Sequence, residues 1–178
     1  MKQIRIITAL AIAAILFAGC QCRKDKAQPA PQETPVQTQA ETIPDFKLPN
    51  ADGTEAWSVM DEVRKHKVTI LDFWASWCGP CIHEAPNLVA VYEQYHEKGL
   101  GIVGISLDED DAAWRNAINR LNMQWAHVSD LKGWDSEAAH LFDVTSIPYT
   151  IVVDGKGKIL AKGLRGGELS AFIAQALD

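Results

Sequence analysis

Two cysteines separated by Gly79 and Pro80 form the run Trp77-Cys78-Gly79-Pro80-Cys81, set where an apolar strand pattern over residues 68–74 gives way to a helical one. A Cys-x-x-Cys pair at such a junction suits electron exchange with the disulfide of another molecule. A helix N-terminus offers unpaired amides and the positive end of the helix dipole. The Cys78 thiol is therefore expected to ionise well below the free value of about 8.5 and to attack as a thiolate at neutral pH. Cys81, one turn further on, is placed to resolve the mixed disulfide that this attack creates.

Resolution needs a proton to leave Cys81. A carboxylate whose pKa is raised by burial suits that step, because its basicity then approaches working pH. Asp72, inside the apolar run, is the first candidate, and Glu84, three residues past Cys81, is the second. Each has a plainer reading: Asp72 as a satisfied structural carboxylate, Glu84 as an ordinary charge in the first turns of a helix. Trp77 is expected to be a partly exposed contact surface and Trp74 a ring packed beneath the dithiol. The alternative from another class is a metal carrier, with Cys78, Cys81 and His83 holding copper or zinc. A histidine on a helix is, however, more often a surface residue. A purely structural disulfide is disfavoured by the helix-start placement.

The elements that must hold these groups follow from turn signals and periodicity. Residues 45–48 and 55–58 flank Asn50-Ala51-Asp52-Gly53, whose Asp-Gly tolerates the positive φ of a tight turn, and they predict a hairpin added to the sheet edge. A short helix over 59–66 leads to the strand at 68–74, whose near-continuous apolar character implies burial on both faces. Ile82, Ala85, Leu88, Val89 and Tyr92 recur at helical spacing and predict a helix over 80–98, kinked at Pro86 and ended by Gly99. A second buried strand is expected at 100–107, then a helix over 108–119 with an acidic first turn. A short strand at 125–128 and a helix over 136–142, capped by Ser136 or Asp135, come next. Strands at 149–153 and 159–162 pair across Asp154-Gly155-Lys156-Gly157, and a helix over 168–177 closes the chain. The order βαβ followed by ββα predicts an α/β fold, a central mixed β-sheet flanked by helices, with no internal repeat.

These residues together resemble the thioredoxin-like superfamily over residues 43–178. Within it the chain is similar to the membrane-tethered TlpA/ResA-like branch, on Ile43-Pro44-Asp45-Phe46-Lys47-Leu48, Glu84 and the inserted α(β) segment over 108–129. The resemblance implies that Asp72 is the buried carboxylate of that family and Pro86 its kinking proline. It implies that Thr145-Ser146-Ile147-Pro148 holds a cis peptide between Ile147 and Pro148, exposing the backbone of Ile147 to an extended client. Trp77, Gly79 and Pro80 complete this client-binding surface. Only about 5% of X-Pro bonds in folded proteins are cis, so the sequence alone favours trans. Gly104 stands where cytosolic thioredoxins place a lysine near the carboxylate. The Gly-Pro dipeptide is that of thioredoxin, whose potential of about −270 mV makes it a reductant and favours a reductase here. Peroxiredoxins share the fold but place Thr or Ser three residues before their peroxidatic cysteine, where this chain has Ala75; Sco-like copper carriers space their cysteines by three residues. No cofactor beyond a redox-active Cys78-Cys81 disulfide is implied. The implied partners are client proteins with disulfides, such as an apocytochrome c haem-attachment dithiol, and a membrane electron donor, because an oxidising compartment re-oxidises the pair.

At 178 residues the chain suits one domain with a full core once its beginning is set apart. Lys2 and Arg5 precede an uncharged apolar run over 6–17, too short to span a membrane and suited to a signal h-region. Phe17-Ala18-Gly19-Cys20 resembles a bacterial lipobox, which implies a leader over 1–19 and lipidation of Cys20. The chain would then be lipid-anchored in the bacterial cell envelope with its domain facing the periplasm. Residues 20–42, with Pro29, Pro31 and Pro35 and few large apolar groups, read as a flexible tether. Of the four cysteines, Cys22 is left over as an incidental thiol. A net charge of −6, more acidic still without Lys2 and Arg5, lacks the basic footprint that nucleic-acid binding requires.

Overall fold

The strand pattern around the dithiol is realised as β3, Val68–Trp74, in which every residue is buried. Such a strand must lie inside a sheet covered on both faces, and it does. The computed structural model describes residues 41–178, in which a five-stranded sheet has the order β5-β4-β3-β6-β7. Here β4 is Leu100–Ser106, β5 Ala126–Val128, β6 Tyr149–Asp154 and β7 Ile159–Lys162. The pairs β3-β4 and β4-β5 are parallel, while β3-β6 and β6-β7 are antiparallel. This is the expected thioredoxin-like fold. The leader over 1–19, Cys20 and Cys22, and nearly all of the expected tether lie outside the described residues.

The N-terminal hairpin forms, but not as part of the main sheet. Its strands, β1 (Lys47–Leu48) and β2 (Trp57–Ser58), pair only with each other. The stretch after β1 reaches the sheet instead: Ala51 donates to the carbonyl of His127 and Ser129 to that of Pro49, which covers the edge of β5 with backbone. Gly53, with φ +99°, makes the turn that the Asp-Gly pair predicted. At the opposite edge, Glu41 and Thr42 already bond to the β7 side, through Ile159 N–H to Glu41 O and a bridge from Thr42 to Lys158. Glu41 and Thr42, assigned above to the tether, are thus hydrogen-bonded to the domain.

Helix boundaries shift where tertiary partners take over. The first helix, α1, is Val59–Val63, capped by the Ser58 hydroxyl. It stops short of 66 because the chain turns there so that Lys67 and Val68 can donate to Gly99 O. The long helix α2, Gly79–Tyr95, runs unbroken through the exposed Pro86, and a tight turn over 96–98 ends at Gly99 in the left-handed region, φ +110°. Helix α3 is Asp111–Arg120, not 108–119, with Asp110 as its cap. Asp108 is not in its first turn at all but buried elsewhere. Helix α4, Glu137–Leu141, has Ser136 at the cap position, yet that hydroxyl makes no bond; Asp130 accepts the Glu137 N–H in its place. Helix α5, Gly166–Leu177, begins before the predicted 168 and packs against α2.

The core lies on both sides of β3 and β4, built from Ile70, Leu71, Phe73, Val103, Ile105, Ile151 and Val152 with Leu88 of α2 and Leu169 and Ile173 of α5. No helix among the described residues is long and apolar enough to cross a membrane.

Candidate active site

Strand β3 ends at Trp74, and a short loop carries the chain to Cys78 at the cap of α2. Cys78 has extended backbone, φ −83° and ψ 101°, and its Sγ accepts the Cys81 N–H at 3.2 Å. An amide aimed at this sulfur is the interaction that stabilises a thiolate there, reinforced by the helix dipole. Pro80, in the first turn, has no N–H to leave unpaired. The two sulfurs are joined as a disulfide. Both cysteines are buried, whereas Trp77, Gly79 and Pro80 are exposed; Trp77 is 56% exposed and Trp74 is buried.

The loop before Cys78 is tied down by a residue that sequence reasoning missed. Asp108, fully buried two residues beyond the end of β4, accepts the Ser76 N–H at 3.0 Å, the Ser76 hydroxyl at 2.5 Å and the Ser106 hydroxyl at 2.7 Å. Its place in the acidic run 108–111 hid it. The usable signal was position: a polar residue at the carboxyl end of a buried strand is where such sheets build sites.

Asp72 occupies the middle of β3, opposite Thr150 of β6 and Gly104 of β4, and Gly104 in turn pairs with His127 of β5. Asp72 is 2% exposed. Burial, and secondarily the negative charge of Glu84, push its pKa up to about 7. Gly104 leaves room on this row that another side chain has taken. A Cβ there would lie 2.3 Å from His127 Nδ1 and 3.1 Å from Trp74 Nε1. The region where the resemblance sets a lysine is therefore filled from β5. The His127 ring packs edge-on to Trp74 and stacks on Trp125, which meets Tyr92 of α2. Its Nε2 faces the Met123 carbonyl at 3.3 Å, so that nitrogen carries the proton, and burial lowers the ring pKa to about 4. His127 is thus neutral near pH 7.

Glu84, the second candidate base, is half-buried on α2 and turned toward α5. Its Oε1 accepts the Gly166 N–H at 2.7 Å and the Asn87 side-chain amide at 2.9 Å, so it caps the start of α5. The bond between Ile147 and Pro148 is cis. Pro148 immediately precedes Tyr149, which pairs with Phe73, so the register sets Ile147 and Pro148 at the end of the sheet from which the dithiol loop leaves. His83 is exposed. Among the described residues, no group of three or more His, Cys, Asp and Glu side chains converges as a metal site.

A mixed sheet, a dithiol capping the helix after its central strand and a buried carboxylate on that strand define a class, the thioredoxin-fold dithiol proteins. The AhpC/TSA family model matches residues 40–162, and the chain belongs to that family. It is 31% identical over 96 residues to the thiol-disulfide oxidoreductase ResA of Bacillus thuringiensis, covering 54% of each chain. The chain thus spans about half the length of the curated relatives it matches first. ResA of Oceanobacillus iheyensis is 27% identical over 154 residues, 86% of this chain and 75% of that one. Among solved structures, a thiol-disulfide oxidoreductase from Bacteroides fragilis superposes with a TM-score of 0.71 at 34% identity, covering 77% of this chain and 100% of that one. The likeness to the ResA-like branch thus holds in relatives as well as in motifs.

Proposed function

We propose that the protein is a thiol-disulfide oxidoreductase of the bacterial envelope that mainly reduces disulfides of client proteins. The observation that carries this reading is the Cys78 sulfur at the cap of α2 with the Cys81 amide upon it, in a domain where burial raises the pKa of Asp72 to about 7. The names of the relatives, ResA thiol-disulfide oxidoreductases and a thiol:disulfide interchange protein of Rhodobacter capsulatus, support it.

In this reading the Cys78 thiolate attacks one sulfur of the client disulfide, forming a Cys78-client bond and expelling the other client sulfur as a thiolate. Cys81 then gives its proton to the Asp72 carboxylate and attacks Cys78 Sγ. The second client thiolate leaves, and the Cys78-Cys81 disulfide holds the two electrons' worth of oxidation taken from the client. Ile147 and Pro148 offer backbone to the extended client, and Trp77, Gly79 and Pro80 line the approach. Glu84 holds the α5 end and tunes Asp72 by its charge. An external dithiol of a membrane electron donor restores the reduced pair, and a lipid on Cys20 with the tether over 20–42 keeps the domain at the membrane, facing the periplasm. The Gly-Pro dipeptide supports the reducing direction.

The test is a trap. Cys81→Ser, expressed in the native envelope and quenched with acid and alkylator, leaves the mixed disulfide unresolved. Client proteins linked to Cys78 should accumulate and be absent from a Cys78→Ser control. An empty trap from a folded protein sinks the reductase reading. Cys20→Ser should move the protein from the membrane to the soluble fraction; continued membrane retention would refute the lipid anchor.

A further inference from the structure

We propose that Trp134, together with Trp77, forms a two-ring contact surface that selects client segments carrying an aromatic or aliphatic side chain beside the cysteine under attack. The inference rests on the reductase reading above and names a specificity residue for it. Trp77 and Trp134 are the two most exposed large apolar side chains among the described residues, at 56% and 45%. Single exposed apolar residues are ordinary, but these two touch. Their ring centroids are 6.4 Å apart and their planes are inclined by 55°, so the rings are tilted rather than stacked, and both keep about half of their surface exposed. The pair therefore presents apolar surface to a third group immediately beside Cys78.

The arrangement is built rather than incidental. Trp134 sits in a turn over 133–135 in the loop between β5 and α4, where Gly133 has φ +58° and Leu131 φ +54°. A left-handed conformation is costly for leucine and persists only where the surroundings enforce it. Here they do: Leu131 N–H donates to the Ser129 hydroxyl at 3.1 Å, and that hydroxyl donates to Ser106 O at 3.0 Å. Gly133 is left-handed as well, a backbone conformation in which any side chain is strained, and a Cβ there would also push against Glu109 Oε1 at 2.9 Å.

Both rings hang from one anchor. The loop bearing Trp77 is bound through Ser76 to Asp108, which also accepts from the Ser106 hydroxyl, and the loop bearing Trp134 is bound through Ser129 to the Ser106 carbonyl. The end of β4 thus sets the spacing of the rings before a client arrives, which lowers the ordering cost of binding. The occupant is the client chain itself, since the surface is continuous with the sulfur it must reach. Large rigid rings bind apolar side chains with little rotamer loss.

The test compares three disulfides offered to the reduced protein, with rates followed by acid quench and mass spectrometry. Two are peptides of one sequence closed by a single intrachain disulfide, with Phe or with Ser on both sides of one cysteine; the third is oxidised glutathione. The parent should reduce the Phe peptide about tenfold faster than the Ser peptide, the size expected of one well-placed aromatic contact. Trp134→Ala should erase that preference by slowing the Phe peptide alone, and Trp134→Phe should restore most of it. No preference in the parent, or an equal slowing of all three disulfides by Trp134→Ala, overturns the inference while leaving the reductase reading intact. A parent that reduces none of the three overturns both.

Discussion

Glu84 Oε1 accepts the backbone N–H of Gly166 at 2.7 Å, joining the dithiol helix α2 to the first residue of α5. Asn87 and Ser170 extend the joint: the Asn87 amide donates to Glu84 and to Gly166 O, and the Ser170 hydroxyl donates to Asn87. A negative charge at a helix start is favourable on dipole grounds as well as by the bond itself. Glu84→Ala should lower stability by roughly 1–2 kcal/mol, read from the denaturant midpoint. Glu84→Gln keeps an acceptor and should recover most of that loss, while removing the charge that raises Asp72. The pH midpoint of the resolving step should then fall in Glu84→Gln; an unchanged midpoint would show that Glu84 does not act on Asp72.

Asp72 makes both rate and stability depend on pH. Its folded pKa of about 7 lies above the unfolded value of about 3.9, so the folded state holds the extra proton between them. Stability is fully present below pH 4 and declines as pH rises through 7. Asp72→Asn should flatten that decline and leave the protein more stable at pH 8 by on the order of 2–4 kcal/mol. The same variant should slow resolution of a preformed Cys78 mixed disulfide on the order of 100-fold at pH 7 without changing the first attack comparably. Parallel stability curves for the two proteins would mean that Asp72 titrates normally.

Asp108 carries three donors that have no other acceptor in view: Ser76 N–H, Ser76 hydroxyl and Ser106 hydroxyl. Asp108→Ala removes the acceptor of all three, the Ser106 hydroxyl being buried and the Ser76 groups partly so, and should cost about 2–3 kcal/mol by thermal or chemical unfolding, with Asp108→Asn milder because the hydroxyls can turn. Both should reduce kcat/KM toward peptide disulfides, since the loop to Cys78 loses its tether. A full-rate Asp108→Ala protein would make the residue merely structural.

Gly104→Ala forces His127 or the strand to move, and should destabilise by roughly 1–3 kcal/mol. Combining it with His127→Ala should cost less than the sum of the separate changes, because the small ring-free side chain vacates the space that the new methyl needs. Strict additivity in unfolding experiments would show that the two sites do not share that space.

Much of this was legible in the chain because it is local. The dithiol at a strand-helix junction, the apolar run of β3, the stop at Gly99 and the turns at Gly53 and 154–157 are each written within a few consecutive residues, where propensity and period act directly. The buried state of Asp72 and the exposure of Trp77 followed from the same patterns. What pairs distant segments was not legible. The Ser76 anchor on Asp108, the cap that Glu84 places on α5, the His127 ring over Gly104 and the meeting of Trp134 with Trp77 depend on strand order and register. Side-chain types and spacing along one segment carry no information about which other segment will fold beside them. The sequence by itself determined the chemistry available at Cys78 and Cys81; only the tertiary structure decided which carboxylates, hydroxyls and rings surround it, because those contacts exist only once the sheet has assembled.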